Sequence, residues 1–209
     1  MIYVIGCSAR VGSHHLQSLL RSTGVLGNPD EYLNTYCYGN QISQRGWLPH
    51  VLGTSGTRNG VVGLKISCAN VQDRLLPLIS PEVPKYLYLD RGDLDRRAIS
   101  YYLGEQSGSW HRYRGAPQVP MLPVFDAPAI RRARKMIQRI DREWFQFLSK
   151  QKDRTLYLTY ADLCADPIAM VERVSEFLGI ELPSSVVPIS DVVRNAHYDD
   201  LVASWVKRL

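Results

Sequence analysis

Arg10, Gly12 and Ser13 belong to a run of small residues, Gly6-Cys-Ser-Ala-Arg-Val-Gly-Ser13, set between the apolar stretch Met1 to Ile5 and the helical pattern His15 to Leu20. A loop of this kind leaves several backbone N–H groups unpaired and pointing one way, with the positive end of a helix dipole behind them. Such a start binds anions, and phosphate or sulfate is the expected ligand. A nucleoside-triphosphate loop reads G-x-x-x-x-G-K-[ST]. Here Gly6 and Gly12 stand one residue farther apart, and Ser13 follows where that loop has lysine. ATP is therefore disfavoured. The cation has moved to Arg10, whose planar guanidinium can bridge two oxygens of a phosphate or sulfate without a metal. The other reading of the segment is a turn that merely uses small residues.

A second pair with matching chemistry is Arg91, which follows the run Lys85-Tyr-Leu-Tyr-Leu89 and Asp90, and Ser100, in the second turn of the helix that follows. An arginine fork and a hydroxyl so placed can close on one phosphate; the alternative is a surface arginine and an ordinary helix serine.

The elements that hold these residues alternate. Strands are expected over 1–5, 61–66, 85–89 and 155–159, with helices after the first loop, through 71–79, from a cap at Asp93 to a stop at Gly104, over 129–149, and over 168–178 before Gly179. The stretch 24–59 is loop-rich, and 116–123 is a proline-rich loop. Strands separated by helices imply parallel βαβ units and a sheet covered on both faces, in an α/β fold of three α/β/α layers over residues 1–209. The residues after the strands, 7–13, 90–92 and 160–162, then emerge together at the carboxyl end of the sheet.

Arg10 to Leu16, Thr23 to Tyr32, Gly63 to Ile66, Asp90 to Ser100, Glu105 to His111, Tyr157 to Leu163, Val174 to Ile180 and Ser204 to Arg208 resemble, in that order, landmarks of the bacterial trehalose 2-sulfotransferase-like family. That family uses PAPS, 3′-phosphoadenosine-5′-phosphosulfate. The resemblance implies a P-loop-like sulfotransferase fold and transfer of the PAPS sulfuryl group to an acceptor hydroxyl, leaving adenosine 3′,5′-bisphosphate. By the same resemblance, Arg10, Gly12 and Ser13 cradle the 5′-phosphosulfate, Arg91 and Ser100 hold the 3′-phosphate, and Glu31 is the general base. It also implies a homodimer. Prepositioned N–H groups and Arg10 meet the charge that builds on the leaving oxygen, so no metal is required. Asp30, beside Glu31, is the carboxylate that a shift of one position nominates instead. The loop departs from the family at two places: Val11 stands where serine is expected and His14 where threonine is. His14 either donates an imidazole N–H to the 5′-phosphate, which makes binding pH-dependent, or marks a loop that binds less well.

The acceptor is read as a hydroxyl of a carbohydrate or glycolipid. Sugars present apolar C–H faces that pack on aromatic rings, with hydroxyls at the rim. The segments 32–47 and 110–113 offer Tyr32, Trp47, Trp110 and His111 near Glu31.

The net charge of +5 suits a polyanionic ligand, nucleic acid or an acidic surface equally. The four cysteines, Cys7, Cys37, Cys68 and Cys164, show no metal-binding spacing and read as free thiols, for which a reducing cytoplasm is the simplest compartment. No window is long and apolar enough for a membrane span. The arginine-rich helix carries Ile130, Ala133, Met136, Ile137, Ile140, Trp144 and Phe147 at helical spacing, which gives a core stripe and leaves the arginines in solvent. Two rival readings follow: a nucleic-acid-binding module that uses this basic face, and a nucleotide-binding protein that has lost transferase activity.

Overall fold

The computed structural model describes residues 1–32, 47–67, 85–110, 123–184, 187–190, 192 and 196–209, with the side chains of Trp47, Leu48, Ala196 and His197 left aside. Four strands among these residues form one parallel sheet: β1 (Ile2–Gly6), β2 (Val62–Ile66), β3 (Lys85–Asp90) and β4 (Thr155–Thr159), in the order β2-β1-β3-β4. Val4 of β1 faces Leu64 on one side and Tyr86 on the other, and Leu89 of β3 faces Leu158 of β4.

The sheet is covered on both faces because its inner strands are apolar along their buried middles, Tyr3 to Ile5 and Tyr86 to Leu89. Tyr3, Ile5, Leu87 and Leu89 pack against α1 (Ser13–Ser22) and α6 (Pro167–Leu178) through Leu16, Leu19, Leu20, Met170, Val174 and Leu178. Val4, Leu64, Ile66, Tyr86 and Tyr88 point the opposite way, to Ile140, Trp144 and Leu148 of α4 (Ala127–Leu148). The result is the expected three-layer arrangement. A third cluster joins α4 to α3 (Leu94–Ser107) and α7 (Ala196–Val206) through Ile99, Leu103, Ile137, Val202 and Trp205. The arginine-rich helix lies as its stripe implies. Ile130, Ala133, Ile137, Ile140 and Trp144 are buried while Arg131, Arg132, Arg139 and Arg142 are exposed.

Three elements differ from the sequence reading. Within the segment read as loop, Trp47–Ser55 is a helix, α2. Its proline is the third residue, in the first turn, where a missing N–H costs nothing. α3 runs through Gly104 to Ser107 and stops at Gly108, which adopts φ 65°. Gly104 is there for packing: a Cβ on it would stand 2.9 Å from the Trp110 ring. Tyr160 opens a short helix, α5 (Tyr160–Ala165), where the sequence reading placed no element. The helix expected over 71–79 falls outside the described residues, as do Cys37 and Cys68. Cys7 and Cys164 are free thiols. No described helix is long and apolar enough to cross a membrane.

β1 leads to β2 on one side, while β3 pairs on its other side. The chain therefore switches direction between β1 and β3, and the crevice beyond their carboxyl ends is where ligands of such sheets bind. Loop 7–12 and residues 91–93 both open into that crevice.

Candidate functional site

The loop after β1 turns tightly because bulky neighbours press on both of its glycines. Trp144, fully buried, lies against Gly6, where a Cβ would stand 2.6 Å from the indole, and its Nε1–H donates to the Cys7 carbonyl at 3.1 Å. Gly12 caps α1 with φ 89°, and the Tyr160 ring occupies the place of its missing Cβ at 2.4 Å. No side chain caps α1. Four other helices are closed by one: Asp93, Asp126, Thr159 and Asp166 accept from Arg96, Ala129, Asp162 and Ala169 backbone N–H groups at 2.9–3.1 Å. At α1 the cap position is a glycine, so no side chain takes up the N–H groups at the start of the helix, and the His15 N–H turns back to the Gly12 carbonyl at 3.0 Å.

Arg10 is the one described non-glycine residue with positive φ, 65°. That conformation costs about 1–3 kcal/mol and persists where the surroundings enforce it, commonly at functional sites. Here the surroundings are the rest of the candidate site. Arg10 Nε donates to Ser100 Oγ at 2.8 Å, its Nη1 donates to the Trp110 carbonyl, and its own carbonyl accepts from Arg91 Nη1 at 3.3 Å. Arg91 stacks on the Tyr160 ring at 4.2 Å, and Tyr198 reaches Ser100 Oγ at 3.2 Å. Arg10, Gly12, Arg91 and Ser100 thus meet, with Tyr160 and Tyr198 as additions that the sequence reading missed. Burial pulls the Arg91 guanidinium below its ordinary value, with Arg96 and Arg10 adding to that pull against Tyr160 and Asp199. Among the described residues no carboxylate lies within ion-pair distance of Arg10 or Arg91. Two guanidinium groups so placed are suited to an anion.

The other side of the loop is electrically closed. Residues 28–32 run beside β2, where Lys65 N–H donates to the Asp30 carbonyl at 2.9 Å. Gln17 Nε2 and Arg21 Nε hold the Pro29 carbonyl at 3.0 and 2.9 Å. The two adjacent carboxylates then part. Asp30 turns outward to Arg21 at 2.8 Å, and Glu31 turns inward to Lys65 Nζ at 2.6 Å. Lys65 is almost fully buried and also contacts His14 Nε2 at 2.9 Å. An ammonium only donates, so this nitrogen of His14 accepts and is not the one that could donate to a phosphate.

A second closed pair lies under the loop. Arg97 of α3 and Asp141 of α4 form a two-pronged ion pair at 3.0 and 3.1 Å; Arg97 also donates to Ser8 Oγ and, at 3.3 Å, to the Ala9 carbonyl. Ser8 Oγ donates in turn to Asp141. This clamp fixes the backbone that carries Arg10. The sequence held a signal for it: Asp141 falls on the apolar stripe of its helix, between Ile137 and Trp144, where an unpartnered charge is not tolerated. Lys65 had a similar signal, a lone cation in the apolar strand Val61 to Ile66.

Other residues named from sequence are distributed differently. Ser13 is buried at the start of α1, bonded to the Cys7 thiol, which burial pushes up. Tyr32 is no open platform. It packs with Val4, Val51 and Leu64, and its hydroxyl donates to the Asn28 carbonyl at 3.0 Å. Trp110 is partly exposed, stacked near Tyr101 at 5.2 Å, and in reach of Arg10. The Trp47 side chain and His111 lie outside the described residues. Among those residues no cluster of three or more histidines, cysteines, aspartates or glutamates is placed to hold a metal ion.

Residues 37–209 match the family described as Stf0 sulphotransferase. The match begins after the first loop and Glu31, so the reading of those residues rests on their geometry. Similar solved structures include a sulfotransferase from Alicyclobacillus acidocaldarius (13% identity, 98% of this chain and 91% of that one covered, TM-score 0.53). Others are a sulfotransferase domain from the curacin biosynthetic pathway (12%, 95% and 81%, 0.57) and the sulfotransferase domain of the Synechococcus PCC 7002 olefin synthase (16%, 98% and 86%, 0.55). At these identities the likeness concerns the fold. No curated protein matches the chain.

Proposed function

We propose, from the premise that the chain belongs to the Stf0 sulphotransferase family, that it uses PAPS as sulfuryl donor and a hydroxyl of a carbohydrate or glycolipid as acceptor. The observation that carries this reading is the convergence, on a glycine-capped helix start, of two arginines with no carboxylate within ion-pair distance among the described residues. When bound, PAPS supplies an activated sulfuryl group. The residues fit its charge: Arg10 and the N–H groups after Gly12 are suited to the 5′-phosphosulfate, and Arg91 with Ser100 to the 3′-phosphate. No lysine or metal-ion cluster is needed for this. Arg10 and the helix start are fixed before any ligand arrives, so they oppose the charge building on the leaving oxygen without reorganising.

Glu31 takes the proton of the acceptor hydroxyl. Its carboxylate lies on the inner side of the loop, whereas Asp30 is engaged with Arg21. Trp110, whose carbonyl accepts from Arg10, and His111, its neighbour in sequence, are assigned to the acceptor. Two copies of the chain are expected to associate, within one cytoplasmic enzyme whose 209 residues act as a single domain. Incubation with sulfur-35 PAPS and a panel of saccharides, glycolipids and phenols tests the acceptor. Label is expected on saccharide or glycolipid hydroxyls, and label on phenols alone would overturn the acceptor class.

A further inference from the structure

We propose that Lys65 is a positioning residue that joins Glu31 and His14 into one proton-coupled unit, so that protonation of His14 displaces Glu31 and slows turnover. The inference rests on the assignment of Glu31 given above and adds two residues to it. Lys65 enters from the middle of the apolar strand β2, with a side chain 4% exposed. A buried ammonium costs several kcal/mol unless its protons are used. Two of them are: one goes to Glu31 Oε1 at 2.6 Å and one to His14 Nε2 at 2.9 Å.

The arrangement admits one protonation state of the imidazole. His14 Nε2 must be bare, which places the single ring proton on Nδ1. An added proton at Nε2 removes the acceptor and sets two cations within bonding distance. The groups that face His14 decide how readily this happens. Against the imidazolium stand Lys65 from β2 and the positive end of α1, in which His14 is the second residue. For it stands Glu31, beyond Lys65. Cys7, at the end of β1, feels the same Lys65, Glu31 and Arg97 charges, but burial keeps its thiol protonated and so uncharged.

The unit therefore holds together above the titration of His14 and comes apart below it. When His14 is protonated, Lys65 is repelled and its contact with Glu31 loosens. Donor binding does not suffer in the same way, since an added positive charge at the helix start attracts an anion. The signature is a fall in kcat at acid pH without a matching loss of donor affinity.

The test is an NMR titration of the protein carrying nitrogen-15 histidine, without ligand. The expected tautomer of His14 carries its proton on Nδ1. In Lys65→Met the His14 midpoint moves up by about one pH unit, as expected for removal of an adjacent cation. In Glu31→Gln it moves down. A structural role predicts no such opposite movements, and if Lys65→Met fails to fold, the Glu31→Gln arm stands alone. An Nε2-protonated tautomer, or a midpoint that neither variant moves, overturns the proposal. The acid limb of kcat is expected to shift to lower pH in His14→Thr, and a limb that stays in place also overturns it. Because the titration needs no substrate, failure to find sulfuryl transfer leaves this result intact. An ordinary His14 in a protein that does transfer sulfate refutes the coupling alone.

Discussion

Four cations surround the loop after β1, and they divide by partner. Arg97 and Lys65, under and behind the loop, each meet a carboxylate, Asp141 at 3.0 Å and Glu31 at 2.6 Å. Arg10 and Arg91, on the open side, contact a hydroxyl, two carbonyls and an aromatic ring, with no carboxylate within ion-pair distance among the described residues. The paired cations hold the loop in place; the others are the ones proposed to take the anion. Charge alone does not mark a binding residue, because all four are basic and all four lie close together. What separates them is whether the protein has already neutralised them.

The contrast breaks first in stability. Asp141→Ala leaves Arg97 buried with only the more distant Asp90, at 3.8 Å, as a carboxylate partner among the described residues, a loss of about 3–5 kcal/mol for a buried pair broken on one side. Thermal unfolding should show a midpoint lower by roughly 6–20 °C at this chain length. A midpoint within a few degrees of the parent would mean that the clamp does not hold the loop. Glu31→Gln acts on turnover instead. It keeps the shape, removes the proton acceptor, and should lower kcat by about 10²-fold or more with donor affinity unchanged. Unchanged kcat would move the base elsewhere.

Gly12→Ala tests the open side through the backbone. The substitution meets a positive φ and a Tyr160 ring 2.4 Å away. Tyr160 must shift, and Arg91 loses the surface on which it stacks. Binding of adenosine 3′,5′-bisphosphate should weaken by about tenfold, roughly 1.4 kcal/mol, and equal affinity would show that this packing is idle. The smallest effect belongs to Asp30→Asn. Its ion pair with Arg21 is more than a third exposed on both sides, and such pairs contribute about 0–1 kcal/mol. Turnover should be preserved; if it alone were abolished, the proton acceptor would be Asp30 and not Glu31.

Much of the frame was legible in the sequence, for a local reason. β1, β3 and β4 are uninterrupted apolar runs, and α4 announces its buried face by the spacing of Ile130, Ala133, Ile137 and Trp144. Local chemistry misled at Gly104, where glycine serves packing against Trp110 and not chain reversal. It was silent at Trp47–Ser55, whose proline and glycine resemble a loop. The site was legible as far as single residues carry it: Arg10, Arg91 and Ser100 could be named. Their partners could not. Arg97 meets Asp141 across 44 residues and Lys65 meets His14 across 51, and such pairs are set by the way helices and strands pack. Tyr32 shows the same limit in reverse, since an aromatic near Glu31 in sequence proved to be part of the core.

The most direct test of the division between paired and open cations is calorimetry with adenosine 3′,5′-bisphosphate in the absence of added metal. The parent protein should bind it more tightly than Mg-ATP, and Arg10→Ala and Arg91→Ala should each weaken binding by about tenfold or more, as charge-assisted contacts of about 1.5–3 kcal/mol imply. Their unfolding midpoints should stay near the parent's. Tighter binding of Mg-ATP, or bisphosphate affinity that neither arginine affects, would contradict the account.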